Sequence, residues 1–296
     1  MKVFYLMFET LELNNDERSH LPGSFIEISK GYVHYELTGS ENGDLVVLIH
    51  GFSSPYLVWD YIIEELARSG FQVLRYDLFG RGFSDRPITK YNFAFFVQQL
   101  YELLQKLNLT HKKINLVGLS MGGGITMTFA DHYPDLVKKI TLFDPIGFSS
   151  GINVLYTVMK IPILNRFILK FIITHQMLIS RQKPDFYRYK NVDQYLDQFQ
   201  VQLKYKGYLQ AIHSTILHSP FNNLKNVYQR VGKLNIPIQL FWGEKDRTIP
   251  FKTNEKVRAA IPNIIFHPIP DCGHMPQYTH PQVVIPLLLE FLSSNL

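Results

Sequence analysis

A single cysteine, Cys272, is all that the 296 residues contain, so no intrachain disulfide can form. A chain without disulfides fits a reducing compartment, and the expected location is cytoplasmic. Long apolar runs are also missing. The one near the start, from Val3 to Phe8, is too short for the apolar region of a secretory leader and far too short to span a membrane. Zinc-finger spacing, an RNA-recognition signature and a basic heptad region are absent, which excludes nucleic acid as an expected partner. No metal-ligand spacing occurs, and no stretch calls for a cofactor. Internal repeats and low-complexity segments are lacking too.

What remains has the composition of a soluble globular protein, 46% hydrophobic and 19% charged. The net charge of +5 is unevenly spread. Between Gly151 and Lys225, ten Lys and Arg face three Asp, so this segment carries +7 and the remainder −2. Such a face attracts anionic surfaces or simply stays solvated.

The chain alternates apolar strands with amphipathic helices. "SFIEIS" and "YVHYEL" read as a hairpin. "LVVLI", "FQVLRYD", "INLVGL", "VKKITLF", "IPIQLFWG" and "NIIFHPI" read as strands, most of them covered on both faces. Helices are predicted over 55–69, 91–109, 121–133, 252–261 and 281–294. This order predicts an α/β fold with a mostly parallel, eight-stranded sheet and helices on both faces. The alternation breaks after Pro145 and returns near Ile236. The expected organisation is therefore a core from 1–145 and 227–296, its first 23 residues an extension, with a helical insertion over 146–226.

In "INLVGLSMGGGITMTFA" a hydroxyl stands among glycines where a strand meets a helix. Ser120 belongs either to a tight turn or to a strained turn that exposes a nucleophile, and the strand–turn–helix context favours the second. Gly118 and Gly122 remove side chains that would collide in so sharp a turn. A serine hydroxyl needs a base and a group to orient that base. His274, in the Pro/Gly-rich loop of "PIPDCGHMPQYTHP", follows the last strand and emerges at the edge where Ser120 does. His280 sits beside Pro281 as a helix flank. His34, His111, His132, His267 and His20 have ordinary structural settings. For the acid, Asp246 in "GEKDRTIP" and Asp144 in "TLFDP" both follow strands; the order Ser120, Asp246, His274 favours Asp246 and leaves Asp144 as a turn residue or reserve acid. Oxyanion donors are expected at the N–H of Met121 and of Phe52, with His50 bracing that loop.

These motifs resemble the α/β-hydrolase superfamily, and within it the capped serine hydrolases that include monoacylglycerol lipases, esterases and carbon–carbon bond hydrolases. The likeness runs from about residue 24 to the end, through "VVLIHGF", "YDLFGRGFSDRP", "GLSMGG", "GEKDRTIP" and "CGHMPQ". It implies a cap inserted after the strand ending at Phe143, and the same roles for Ser120, Asp246, His274, Phe52 and Met121. Haloalkane dehalogenases and epoxide hydrolases are similar but carry aspartate where this chain has Ser120. Carbon–carbon bond hydrolases commonly have a more glycine-rich oxyanion loop and a Trp after the catalytic histidine; here stand "HGFSSPYLVWD" and Met275. The expected activity is cleavage of a small-molecule carboxylic ester, without cofactor or metal. Alternatives are carbon–carbon bond hydrolysis and a non-catalytic ligand receptor. Aromatic and aliphatic cap residues are expected to line an acyl pocket or to pack the cap, and His213 and His218 to meet substrate or solvent. The stretch from Ile161 to Ile179 offers peripheral contact with an anionic membrane surface.

Overall fold

A computed structural model describes residues 9–148 and 174–295. Eight strands form one sheet: β1 (Ser24–Ile28), β2 (Gly31–Gly39), β3 (Leu45–Ile49), β4 (Gln72–Tyr76), β5 (Ile114–Leu119), β6 (Val137–Phe143), β7 (Ile238–Gly243) and β8 (Ile265–Ile269). Their order is β1-β2-β4-β3-β5-β6-β7-β8. The β1–β2 and β2–β4 pairs are antiparallel, and all others are parallel.

The central strands are apolar throughout because both faces are covered. Side chains alternate across a strand. Thus Leu45, Val47 and Ile49 of β3 join one hydrophobic cluster, while Val46 and Leu48 join the other. The first cluster packs beneath α3 (Phe93–Lys106) and α4 (Met121–His132); the second lies beneath α2 (Asp60–Arg68) and the final helix. A short helix, α1 (Asn15–His20), precedes the sheet, its N-terminus capped by the Asn14 side chain.

The expected helix over 55–69 begins instead as a 3-10 turn, Tyr56–Trp59, before α2. The Tyr56 N–H donates to Asp77 Oδ1 at 2.8 Å, which fixes the entry by a contact that helical periodicity does not encode. Between β6 and β7 lie α5 (His175–Asp185), α6 (Val192–Val201), α7 (Tyr208–His218) and α8 (Lys225–Val231). After β7 come α9 (Asn254–Ala260), α10 (Pro276–Thr279) and α11 (Pro281–Ser293). Residues 149–173 lie outside the described residues. They hold most of the stretch expected at a lipid surface, including Arg166 and Lys170. Among the described residues, no helix is long and apolar enough to cross a membrane.

Candidate active site

Ser120 closes β5 and precedes α4, with φ +54° and ψ −114°. A positive φ is costly for a residue with a Cβ and persists only where surroundings fix it. Here the Ser120 N–H donates to Phe143 O (2.8 Å), and Ser120 O accepts from the Ile146 N–H (3.2 Å). The turn is thereby tied on both sides to the end of β6. The glycines make this possible. A Cβ on Gly118 would stand 2.6 Å from Gly122 O, and one on Gly122 would stand 2.1 Å from Ile49 O. The second close approach is to β3, the neighbouring strand, rather than to the elbow's own strand.

His274 lies in the loop between β8 and α10. Its Nδ1 is 2.7 Å from Asp246 Oδ2. A carboxylate only accepts, so Nδ1 carries the proton and Nε2 is the nitrogen left over. Asp246 is in turn fixed by the Thr248 and Ile249 N–H groups, which donate to its Oδ1 at 2.7 and 2.9 Å. Burial pulls the His274 pKa down, but the carboxylates of Asp246, Asp185 and Asp144 outweigh it and hold the imidazole above its ordinary value.

Asp144 meets this pair from behind, fully buried. Its Oδ1 accepts from the Gly243 N–H at 2.9 Å, and its φ is +43°. Burial and then the nearby Asp246 carboxylate raise its pKa well above the ordinary range. Asp144, Asp246 and His274 have ligand atoms within 4.8 Å of one another. Both Asp246 oxygens are already engaged by His274 and two backbone N–H groups; that donor set suits proton transfer better than a cation.

A cavity of about 590 Å³ joins Ser120, His274 and Phe52. Asp246 stands behind His274, outside the cavity lining. Met121 opens α4 with its side chain in the core; its N–H, at the first helical position, lacks a partner within the helix. Depressions of about 620 and 650 Å³ elsewhere hold none of these residues, so convergence rather than volume marks the site. His50 and His34 are held in structural settings. His50 Nε2 accepts from the Leu78 N–H at 2.8 Å, and burial lowers its pKa to about 4, so it braces the loop as a neutral ring. His34 is buried against Asp77 at 2.6 Å.

The described cap residues divide between the two expected roles, packing the cap and lining the cavity. Phe186, Tyr195 and Tyr278 pack on one another. Among the described residues the wall carries Phe52, Met177, Leu178, Ile216 and Met275 beside Arg181, Gln182, Asp185, Arg247 and Thr248. Two contributors were not singled out in the sequence. Asp185 sits at the end of α5 with its main-chain O 2.9 Å from the His274 N–H. Arg81, fully buried, donates from Nε to Phe52 O (2.8 Å) and from a terminal nitrogen to Thr215 Oγ1 (2.9 Å). It steadies the loop that carries Phe52, and burial lowers its pKa to about 10. Its position in "GRGFSD" was the only hint.

Residues 44–281 match the family described by the alpha/beta hydrolase fold. Among similar proteins, Lipase 3 of Moraxella sp. is 27% identical over 82% of this chain and 75% of its own length. The 2-hydroxy-6-oxononadienedioate/2-hydroxy-6-oxononatrienedioate hydrolase 1 of Pseudomonas putida is 26% identical over 91% of this chain and 96% of its own. A thermophilic esterase from Thermogutta terrifontis superposes with a TM-score of 0.77 at 22% identity, covering 91% of this chain and 98% of that one, and so bears on the fold alone. A sheet of this order, joined to a family match that spans most of the chain, makes the protein a member of the alpha/beta hydrolase fold family.

Proposed function

We propose that this protein is a serine hydrolase of small-molecule carboxylic esters. The observation that carries the reading is Ser120, held at positive φ on the wall of the same cavity as His274, whose other nitrogen is locked to Asp246. His274 Nε2 takes the Ser120 proton, and the serine oxygen attacks the ester carbonyl. The Phe52 and Met121 N–H groups hold the oxyanion; one such donor is worth about 3 kcal/mol of transition-state stabilisation. The imidazolium then protonates the leaving alcohol, and water, activated by His274, releases the acyl group. The segment between β6 and β7 acts as a cap over the cavity. The lipase among the relatives supports an ester substrate.

The near full-length match to a hydrolase of Pseudomonas putida favours carbon–carbon bond cleavage as a second reading. One comparison tests both. The protein is incubated with a fluorophosphonate and then assayed on esters of rising acyl length and on a vinylogous diketone, beside Ser120→Ala. Labelling of Ser120, ester turnover, and a loss of at least about a thousandfold in Ser120→Ala are expected. Turnover of the diketone alone would transfer the assignment to the second reading. Unlabelled Ser120 with no turnover would overturn both.

A further inference from the structure

Four hydrogen bonds form a closed ring around the acid–base pair. The His274 main-chain N–H donates to Asp185 O at 2.9 Å. The Asp185 carboxylate accepts from the Thr248 hydroxyl. The Thr248 N–H donates to Asp246 Oδ1 at 2.7 Å, and Asp246 Oδ2 accepts from His274 Nδ1 at 2.7 Å. Two of these four links end on a single residue of α5. The fit is tight on the backbone as well, since a Cβ on Gly273 would stand 2.5 Å from Asp185 O and 3.0 Å from the Tyr187 nitrogen.

We propose that Asp185 is a positioning residue that clamps the Asp246–His274 pair from the cap side, through its main-chain carbonyl on His274 and its carboxylate on Thr248. The pair then keeps its geometry only while α5 is seated. The inference rests on the roles assigned above to Ser120, His274 and Asp246.

A carboxylate is a costly way to accept one hydroxyl, because an amide oxygen would do the same without a buried charge. Asp185 is almost wholly buried, and burial raises its pKa to about 6, opposed by His274 and by the Thr248 hydroxyl. Asp246 and Arg181 also face it. His274 in turn faces Asp246, Asp185 and Asp144. Above pH 6 the Asp185 charge therefore adds to that of Asp246 in favouring the imidazolium that forms when Ser120 is deprotonated.

The test begins with Asp185→Asn, which keeps an oxygen for Thr248 and the main-chain link but removes the charge. The His274 titration, followed by NMR on its ring proton in the protein without substrate, is expected to fall by at least about half a unit. The acid limb of kcat/KM on an ester is expected to move down with it. Thr248→Val removes the hydroxyl and is expected to lower kcat about tenfold with little change in KM; Thr248→Ser, which keeps the hydroxyl, is expected to recover most of that loss. An unmoved His274 titration in a folded Asp185→Asn protein would overturn the contribution of the Asp185 charge, and a folded Thr248→Val protein with undiminished kcat would overturn the clamp. The NMR readout needs no turnover, so it judges Asp185 even where no ester is cleaved, whereas the unlabelled and inactive Ser120 described above judges the hydrolase reading.

Discussion

Asp185 is a carboxyl that folding makes harder to ionise. Its pKa in the folded chain is pushed up to about 6, chiefly by burial, against about 3.9 when exposed. A raised carboxyl pKa opposes the folded state as pH increases: the cost is absent below the exposed value, grows between about pH 4 and pH 6, and is constant above. Two units correspond to about 2–3 kcal/mol at neutral pH. Asp185→Asn is therefore expected to be more stable than the natural protein at pH 7 by up to that amount, and no more stable at pH 4, read from denaturant midpoints at both values. A variant that gains stability while losing activity would mark a charge kept for function rather than for folding. His274 runs the same way in kinetics. Because the surrounding carboxylates raise its pKa, the neutral base needed to activate Ser120 accumulates only at higher pH, and kcat/KM is expected to climb on the alkaline side of about 6.5, the ordinary imidazole value.

At the scale of elements, the elbow stands or falls on the glycines around Ser120. A methyl group at position 122 would meet Ile49 O at 2.1 Å and His50 O at 2.5 Å. Both are backbone atoms of β3 and its exit, which cannot yield without breaking the sheet. Gly122→Ala is expected to cost at least about 3 kcal/mol, measured by thermal or denaturant unfolding. Gly70 is the contrast: its φ is +90° with nothing within 4 Å of a Cβ, so Gly70→Ala should cost only about 1–2 kcal/mol, from the left-handed backbone alone. The elbow was legible in the sequence because every part of it is local. An apolar run ending at Leu119, a serine and three glycines specify strand, turn and helix within a dozen residues. Asp246 and His274 were legible for a similar reason, each in a turn that follows a strand. The 3-10 entry to α2 was not, since it depends on Asp77 accepting from Tyr56, 21 residues earlier. Nor was Asp185. As one of three acids in a basic, aperiodic segment it has no spacing to give it away, and its hydroxyl partner Thr248 is 63 residues distant. For the aromatic residues of the same segment both roles stayed open, because composition marks them as apolar but does not say whether they face the cavity or one another; Phe186 and Tyr195 face one another.

For the molecule as a whole, the helices between β6 and β7 are held down from an unexpected direction, by the segment that precedes β1. Glu9 accepts from the Gly207 and Leu209 N–H groups at 2.9 and 2.8 Å, at the start of α7, and lies 3.2 Å from His175 Nε2 at the start of α5. Leu11 adds backbone hydrogen bonds with Lys204 and Lys206, and Glu17 accepts from the Tyr205 hydroxyl. One carboxylate thus joins the beginnings of two helices, one of which ends on the Asp246–His274 pair. Burial raises the Glu9 pKa, but the His175 ring and the two N–H donors outweigh it, and the net shift is downward. A lowered carboxyl pKa stabilises the folded state above the exposed value of about 4.3, and the contribution is lost as pH falls through the folded value. Glu9→Gln keeps an acceptor but removes the charge; Glu9→Ala leaves the Gly207 and Leu209 N–H groups to water. Both are expected to raise hydrogen exchange of backbone amides in α5 and α7 at neutral pH, the second by about tenfold, while exchange in β3 and β5 stays as it was. Equal rises across the sheet would mean that Glu9 stabilises the fold in general, and protection unchanged everywhere would mean that the helices are seated without it. A rise confined to α5 and α7, accompanied by a fall in kcat, would connect the N-terminal segment to the site through helices that touch both.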